Sequence, residues 1–283
     1  MRRSRVSGRT RSSVSLTAMA RIAVAATAPF GADVLERLAA SHEVVALLTR
    51  PDAPSGRGRR PAPPPAKEAA LRLGIPVLQP ERLTSEIEVG AGTVVVVAYG
   101  LLIPAELLER GLWLNVHPSL LPRWRGAAPV ERAVLAGDRE TGVTIHRTVA
   151  ELDAGPIAAQ RAFPIAPDDD AGAVYARAAE VAAELLDGVL SAPEPEFRPQ
   201  PSEGVTYADK IGPADRELDL ADADGSLRRI RALSPSIGAW AELHGRRVTI
   251  WRARVEAGLL IPLEVQPEGR RRMAYDEFVR GLR

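Results

Sequence analysis

Cysteine is absent from this chain of 283 residues, and aromatic side chains make up only 4% of it. Without cysteine, the protein has no disulfide framework, no thiolate metal site and no cysteine nucleophile. No apolar run approaches the roughly 20 residues that a membrane-spanning helix needs, so we expect no membrane partner. What remains is 46% hydrophobic and 26% charged residues, which is typical of a globular protein.

The charges nearly cancel, because the formal net charge is only +1. Any attraction to nucleic acid must therefore come from local basic patches and not from the molecule as a whole. The four histidines, His42, His117, His146 and His244, are scattered along the sequence, so we expect no metal site. The length suggests two domains, at about 150 residues for each.

Residues 1–18 contain five arginines and five serines but no acidic residue. A secretory signal is excluded, because it needs an apolar stretch of about 7–15 residues. Two interpretations remain. An organellar transit peptide has this composition, whereas a disordered tail, or a start codon assigned too early before Met19, would accompany a bacterial protein of the cytoplasm. We favour the tail, because an ordinary first strand follows Met19 directly.

After this segment, apolar runs alternate with amphipathic stretches, which is the pattern of βαβ units. A strand at 22–26, a helix at 32–40 and a strand at 44–48 form the first such unit. Residues 93–97 read Thr-Val-Val-Val-Val, and a run without polar alternation suits a strand that is covered on both faces. We predict a Rossmann-like α/β domain with a mostly parallel sheet.

A proline-rich segment follows this domain, with four prolines between residues 193 and 201. Such a segment sustains neither a helix nor a strand ladder. Beyond it, a helical stretch near 227–233 precedes strand-like runs, which predicts a small β domain. We therefore divide the chain into a tail (1–18), a catalytic domain (19–192), a linker (193–204) and a C-terminal β domain (205–283).

The turn after the first strand does not suit a dinucleotide. It reads Ala-Thr-Ala-Pro-Phe-Gly over 26–31, with one glycine where a dinucleotide-binding fold uses three. Pro29 also removes a backbone N–H that could bind phosphate. The sequence therefore argues against a dehydrogenase.

Asn115 and His117 are the first pair of polar side chains that could take part in a reaction. Asn115 is also the only asparagine in the chain. Residues two apart in a strand point to the same face, and Pro118 ends the strand. This position is the carboxyl end of a predicted parallel strand, where open α/β sheets bind ligands. Taken alone, a histidine at a strand end is more often a buried structural residue than a catalytic one.

Asp153 lies in the segment Leu-Asp-Ala-Gly-Pro at 152–156, after a predicted strand at 143–146. Gly155 permits a tight turn that presents the carboxylate. An isolated aspartate in such a turn is usually only a turn residue, so its significance depends on Asn115 and His117.

Together, Asn115, His117 and Asp153 resemble the site of formyltetrahydrofolate-dependent formyltransferases, with Ser-Leu-Leu-Pro at 119–122 and Arg-Gly-Ala-Ala-Pro at 125–129. Further matches follow in the family's order: Arg-Pro-Asp at 50–52, Gly-Arg-Gly at 56–58, Val-Ala-Tyr-Gly at 97–100, Thr-Gly-Val-Thr at 141–144 and Thr-Tyr-Ala at 206–208. The resemblance covers nearly the whole chain after the tail. Within the family, it is to the members that formylate methionyl-tRNA.

This resemblance implies transfer of the formyl group of 10-formyltetrahydrofolate, a co-substrate, to the amine of initiator methionyl-tRNA. It implies that Asn115 and His117 donate hydrogen bonds to a developing oxyanion, while Asp153 orients His117 and moves a proton. The implied folate-binding residues are Ser119, Leu120, Leu121, Pro122, Val97, Tyr99 and Gly100. The implied tRNA-binding residues are Arg57, Arg59, Arg60 and Lys67.

The C-terminal domain departs from the family pattern, which has a β-barrel of the oligonucleotide-binding type that contacts tRNA. Soon after residue 253 the sequence passes to its ending, so we expect a shortened barrel. We also expect a monomer. Two alternatives remain: the same chemistry on a ribonucleotide amine or an amino sugar, and a catalytically inactive RNA-binding relative. The intact trio of polar residues argues against the second.

Overall fold

A computed structural model describes residues 19–55 and 60–282 of the chain, so the tail predicted for 1–18 lies outside the described residues. The strands are β1 (Arg21–Ala26), β2 (Glu43–Leu48), β3 (Ala53–Ser55), β4 (Arg60–Ala62), β5 (Val77–Leu78), β6 (Thr93–Val97), β7 (Leu112–His117), β8 (Arg125–Gly126), β9 (Glu140–Arg147), β10 (Ile157–Pro164), β11 (Tyr207–Ala208), β12 (Ala239–Leu243), β13 (Arg246–Glu256), β14 (Leu259–Pro267) and β15 (Met273–Ala274). The helices are α1 (Pro29–Ser41), α2 (Pro65–Leu73), α3 (Ala105–Glu109), α4 (Pro129–Ala136), α5 (Ala171–Ser191), α6 (Ala223–Leu233) and α7 (Tyr275–Arg280), with a short 3-10 helix at Pro213–Arg216.

The main sheet has seven strands in the order β10-β9-β7-β6-β1-β2-β5. The strands from β5 to β7 pair in parallel, while β9 and β10 add an antiparallel edge. Alternate residues of β1 enter two separate buried clusters: Ile22 and Val24 pack with α1 and α5, and Ala23 and Ala25 pack with α3. Both faces of the sheet are covered, so the predicted Rossmann-like class is confirmed.

A separate antiparallel sheet of four strands, β12-β13-β14-β15, lies where we predicted a shortened barrel. Helix α6 packs against both α4 and β13. Through these contacts, Ile230 and Ile250 belong to the same buried cluster as Leu38 of the first domain. The C-terminal part is therefore docked onto the catalytic part, while the limits of the four predicted segments stay a prediction.

The proline-rich segment has no helix, but it is attached to the main sheet. Arg198 and Ile157 exchange backbone hydrogen bonds of 2.7 and 2.9 Å, which extends the edge at β10 by one bridge. The hairpin formed by β3 and β4 was also not expected from the sequence. Within the described residues, no helix is long and apolar enough to cross a membrane.

Candidate active site

Strand β7 presents Asn115 and His117 at its carboxyl end, between β6 and β9. Asn115 lies beside Val96 of β6 and beside His146 of β9 in the strand register. His117 is only 4% exposed, and the strand ends at this residue. The sequence prediction of two polar side chains at the open end of a parallel strand is therefore confirmed by the placement of β7.

The loop between β9 and β10 brings Asp153 to the same place. Asp153 has a left-handed backbone (φ 47°), and so do Ala98 and Trp124, which also border the site. Such strained backbone tends to collect at functional sites. Gly155 permits the loop by close approach and not by its dihedral angles, because a Cβ there would lie 1.7 Å from the Arg147 carbonyl oxygen.

The three predicted catalytic residues meet around the Asp153 carboxylate. Asn115 donates from Nδ2 to Oδ1 over 3.1 Å, and the backbone N–H of Gly126 donates to Oδ2 over 2.9 Å. The His117 Nδ1 atom lies 3.6 Å from Oδ2. The carboxylate thus accepts two hydrogen bonds, has His117 as a third neighbour, and is 12% exposed in its side chain.

His146 is a fourth member of the cluster that the sequence did not single out. Its Nδ1 donates to the Arg147 carbonyl over 3.0 Å, so Nε2 carries the lone pair. Asn115 donates to that Nε2 over 3.0 Å, and Nε2 lies 3.6 Å from Asp153 Oδ1. Only the antiparallel pairing of β9 with β7 brings His146 here, and no local motif indicates that pairing.

The protonation states follow from burial and from these partners. Burial lowers the pKa of His117, and this outweighs the nearby Asp153 carboxylate and the Trp124 carbonyl, which raise it. Burial raises the pKa of Asp153, but the neighbouring His146 and His117 and the hydrogen bond from the Gly126 N–H favour the carboxylate and hold this pKa below its ordinary value. At neutral pH the site contains a neutral His117 beside an ionised Asp153.

This arrangement changes the part that His117 can play. Its Nε2 donates to the Trp124 carbonyl over 2.7 Å, so the ring proton is already used. The free position is Nδ1, which faces Asp153. His117 is therefore placed to accept a proton at Nδ1, and it could donate to an oxyanion only after doing so.

Gln200, from the predicted linker, supports the Asp153 loop. Its Nε2 donates to the backbone carbonyls of Asp153 and Gly155, over 2.7 and 2.8 Å. Its Oε1 accepts two hydrogen bonds from the buried Arg125 guanidinium, over 3.1 and 2.7 Å. No local pattern indicates this role, because nothing in a glutamine among prolines points to a loop 47 residues away.

A cleft of about 560 Å³ opens above these residues. Its walls are the loops at 98–103 and 148–152, and its floor contains Asn115, His117 and Asp153. We call it the catalytic cleft. Tyr99 lines it at 2% exposure, with a hydroxyl that has no hydrogen-bond partner among the described residues, and burial raises the Tyr99 pKa to about 12.

Comparison with known proteins agrees with this geometry. The pattern of the formyl transferase family matches residues 20–190, which is more than half of the chain. Methionyl-tRNA formyltransferase from Paracoccus denitrificans is 41% identical over 93% of this chain and 97% of that protein. The corresponding protein from Thermus thermophilus is 42% identical, over 92% of this chain and 96% of that protein. The chain belongs to the methionyl-tRNA formyltransferase family.

The fold is also similar to that of HypX from Aquifex aeolicus, which was solved in complex with tetrahydrofolic acid. The TM-score is 0.66 at 18% sequence identity, and the match covers 92% of this chain and 47% of that one.

In this member of the methionyl-tRNA formyltransferase family, the predicted folate-binding residues fall into two groups. Tyr99 and Gly100 line the catalytic cleft. Val97 is fully buried in the core, and the cleft is lined instead by the preceding Val96, which points to the other face of the strand.

The segment Ser119, Leu120, Leu121 and Pro122 does not line this cleft. Ser119 is buried, and its Oγ donates to the Arg123 carbonyl over 2.7 Å. The Leu121 N–H donates to Thr144 Oγ1 over 3.1 Å. These contacts tie the segment to β9, so it supports the floor of the site.

The predicted tRNA-binding residues are only partly placed. Arg57 and Arg59 lie outside the described residues, and Arg60 begins β4. Lys67 donates from Nζ to both carboxylate oxygens of Asp52, over 2.7 and 2.9 Å. Lys67 therefore ties Asp52 to α2.

Proposed function

We propose that this protein transfers the formyl group of 10-formyltetrahydrofolate to the amino group of methionyl-tRNA, giving formylmethionyl-tRNA for translation initiation. The observation that carries the proposal is the meeting of Asn115, His117 and Asp153 on the floor of one cleft. It is supported by relatives of the same name that align with nearly the whole chain.

The catalytic cleft suits the folate part of the donor. Its volume of about 560 Å³ lies within the range of roughly 300–1,000 Å³ that is usual for small-molecule sites. Leu101, Leu102 and Ile103 give it an apolar wall. Asn115, His117 and Asp153 supply polar groups on its floor, and an apolar wall with a few convergent polar groups fits such a ligand.

Asn115 stabilises the charge that forms when the amine attacks. The new bond joins the amine nitrogen to the formyl carbon, and the formyl oxygen becomes negative. Both N–H groups of Asn115 Nδ2 bond neighbours, His146 and Asp153, so Asn115 exchanges one of these hydrogen bonds for a bond to that oxygen. Removal of an oxyanion donor typically costs about 10²–10³ in rate.

Asp153 and His117 then move one proton across the site. The attacking nitrogen becomes positively charged and loses a proton to Asp153, beside which His117 Nδ1 lies as a second acceptor. The same proton goes to the folate nitrogen as its bond to the formyl carbon breaks. The products are the formylated amine and tetrahydrofolate, with no covalent bond to the enzyme.

The alternative acceptors, a ribonucleotide amine or an amino sugar, would use the same three residues. We favour methionyl-tRNA because the similarity to the relatives of that name includes the C-terminal part. A catalytically inactive RNA-binding protein would have no need for the buried trio. A monomeric state and a cytoplasmic location stay predictions.

Incubation with methionyl-tRNA and 10-formyltetrahydrofolate tests the proposal, followed by hydrolysis of the ester and mass analysis of the released amino acid. We expect formylmethionine. Formylation of an amino sugar or a ribonucleotide amine, with methionyl-tRNA left unchanged, would contradict it.

A further inference from the structure

The Trp124 carbonyl fixes the position of the ring proton on His117. It accepts the hydrogen bond from His117 Nε2 over 2.7 Å, so Nδ1 keeps the lone pair that faces Asp153. Without this acceptor, the neutral ring would carry its proton on Nδ1, because the Asp153 carboxylate lies 3.6 Å from that atom. His117 could then no longer accept a proton at Nδ1.

The backbone at Trp124 is strained and depends on contacts that hold it. Its φ is 65°, in the left-handed region that a bulky residue seldom adopts. Such a conformation persists only where the surrounding structure over-determines it. The Trp124 N–H donates to Thr206 Oγ1 over 2.9 Å, and the next N–H, of Arg125, donates to the Thr206 carbonyl over 2.9 Å. These two bonds hold the backbone on one side.

Asp138 holds the side chain of Trp124. Its Oδ2 accepts from Trp124 Nε1 over 2.9 Å, and its two oxygens accept from the Arg123 guanidinium over 3.1 and 2.7 Å. The same guanidinium lies over the Trp124 ring, 4.4 Å from its centroid, in a cation–π contact. Each of the three side chains therefore contacts the other two. We call Arg123, Trp124 and Asp138 the Asp138 cluster.

Asp138 is itself anchored to the core through the end of α4. It follows Gly137, which ends that helix with a left-handed φ of 74°. The Asp138 N–H donates back to the Ala133 carbonyl over 3.0 Å, as is common at such helix ends. Ala133 belongs to the same buried cluster as Val116 of β7. The carboxylate thus has a fixed place relative to the strand that carries His117.

We propose that Asp138 is a positioning residue for the reaction. Through the Trp124 indole it holds the Trp124 carbonyl against His117 Nε2, which keeps Nδ1 free as a proton acceptor beside Asp153. Neither Trp124 nor Asp138 lines the catalytic cleft, so they act through His117 and not on the substrate. The expected effect on rate rests on the proposed function, whereas the position of the proton is a property of the protein alone.

NMR of protein with isotope-labelled histidine tests the proposal, because the ring nitrogen that carries the proton has a distinct chemical shift. A His117→Gln variant identifies the His117 signals among the four histidines. Near neutral pH we expect the proton on Nε2 in the wild-type protein. In Asp138→Ala, which breaks the bonds to both Trp124 and Arg123, a substantial fraction should carry it on Nδ1.

Trp124→Phe is a second variant, for the case in which Asp138→Ala fails to fold. It removes the indole N–H alone and keeps an aromatic ring beneath Arg123. It should move the proton in the same direction as Asp138→Ala. Because both changes break the bond between Asp138 and the indole, the double variant should be no slower than Asp138→Ala. Losses that multiply in full would contradict this coupling.

The single-turnover rate of formylation is the second measurement. Asp138→Ala should lower it by roughly 10–100-fold and leave the Kd for 10-formyltetrahydrofolate within about threefold, since a misplacement of about 1 Å costs about 10²-fold in rate. Asp215→Ala is the matched control. Asp215 accepts from the Arg132 guanidinium over 2.9 and 3.1 Å and from the Gly212 N–H over 2.8 Å, so it has the same kinds of partner. This control should change neither the rate nor the position of the His117 proton.

A proton that stays on Nε2 in folded Asp138→Ala and Trp124→Phe would overturn the proposal, even if the rate falls. A proton that moves to Nδ1 while the rate stays at the wild-type value would overturn it as well. If the wild-type protein does not formylate methionyl-tRNA, the proposed function fails. The NMR comparison would then still show whether Asp138 sets the position of the His117 proton.

Discussion

Two substitutions of Gln200 should affect the catalytic rate and the stability of the fold to different extents. Its amide joins the buried Arg125 guanidinium to the backbone of the loop that carries Asp153. In Gln200→Ala, Arg125 loses its two hydrogen bonds to Oε1 and keeps a contact of 3.5 Å with the exposed Glu151. Hydrogen bonds to charged groups contribute about 1.5–3 kcal/mol each, so we expect a loss of roughly 3–6 kcal/mol in the free energy of unfolding.

The expected loss of activity has a different origin. Without the two N–H bonds to the carbonyls of Asp153 and Gly155, the loop can move, and a misplacement of about 1 Å costs about 10²-fold in rate. Gln200→Glu isolates this effect. It keeps an acceptor for Arg125 but places a carboxylate against the two carbonyls. It should therefore retain more stability than Gln200→Ala and lose at least as much kcat.

Urea unfolding and single-turnover formylation measure the two quantities. Gln266→Ala is the matched control, because Gln266 also bridges two groups: it accepts from Trp251 Nε1 over 3.1 Å and donates to the Arg270 carbonyl over 3.0 Å, on the C-terminal sheet. It should lower stability and leave the single-turnover rate unchanged. A wild-type rate for Gln200→Glu would refute the role of Gln200 in positioning Asp153.

Three further predictions follow from the same contacts. Gly126→Ala should lower the free energy of unfolding by about 1–3 kcal/mol in urea titrations, because φ is +121° and the new Cβ would lie 2.9 Å from the Ala208 carbonyl oxygen; unchanged stability would contradict this. The depressed pKa of His117 means that the unfolded chain binds more protons, so stability should fall as pH drops from about 7.5 to about 5.5, and less so in His117→Gln; equal pH dependence would be the contrary result. Asn115→Ala should lower kcat by about 10²–10³ with little change in the Kd for folate, and a change in Kd alone would exclude an oxyanion role.

The sequence predicted the parts of the site that depend on local geometry. Asn115 and His117 share a face because side chains alternate along a strand, and Pro118 marks where that strand ends. The apolar run at 93–97 predicted a buried strand, but not which of its two faces borders the cleft. Packing of the strand in the sheet decides which alternate residues face the cleft, and here Val96 and not Val97 lines it.

The residues that the sequence did not indicate are those placed by long-range pairing. His146 enters the site through the antiparallel register of β9 with β7, and Gln200 enters through the bridge between Arg198 and Ile157. Neither pairing has a local pattern. The proline-rich segment was correctly predicted to contain no helix, but composition alone could not show that it holds the loop of Asp153.

The most direct test of the central claim is the single-turnover rate of Asp153→Asn with methionyl-tRNA and 10-formyltetrahydrofolate. The substitution keeps the size of the side chain and removes the charge, so the rate should fall by about 10²–10⁴ while the protein stays folded and binds folate. Asp187→Asn is the control, since Asp187 also pairs with a buried histidine, His42, at 2.9 Å, on another part of the surface. If Asp153→Asn transfers the formyl group as fast as Asp187→Asn and the wild-type protein, the chemistry does not take place at this site.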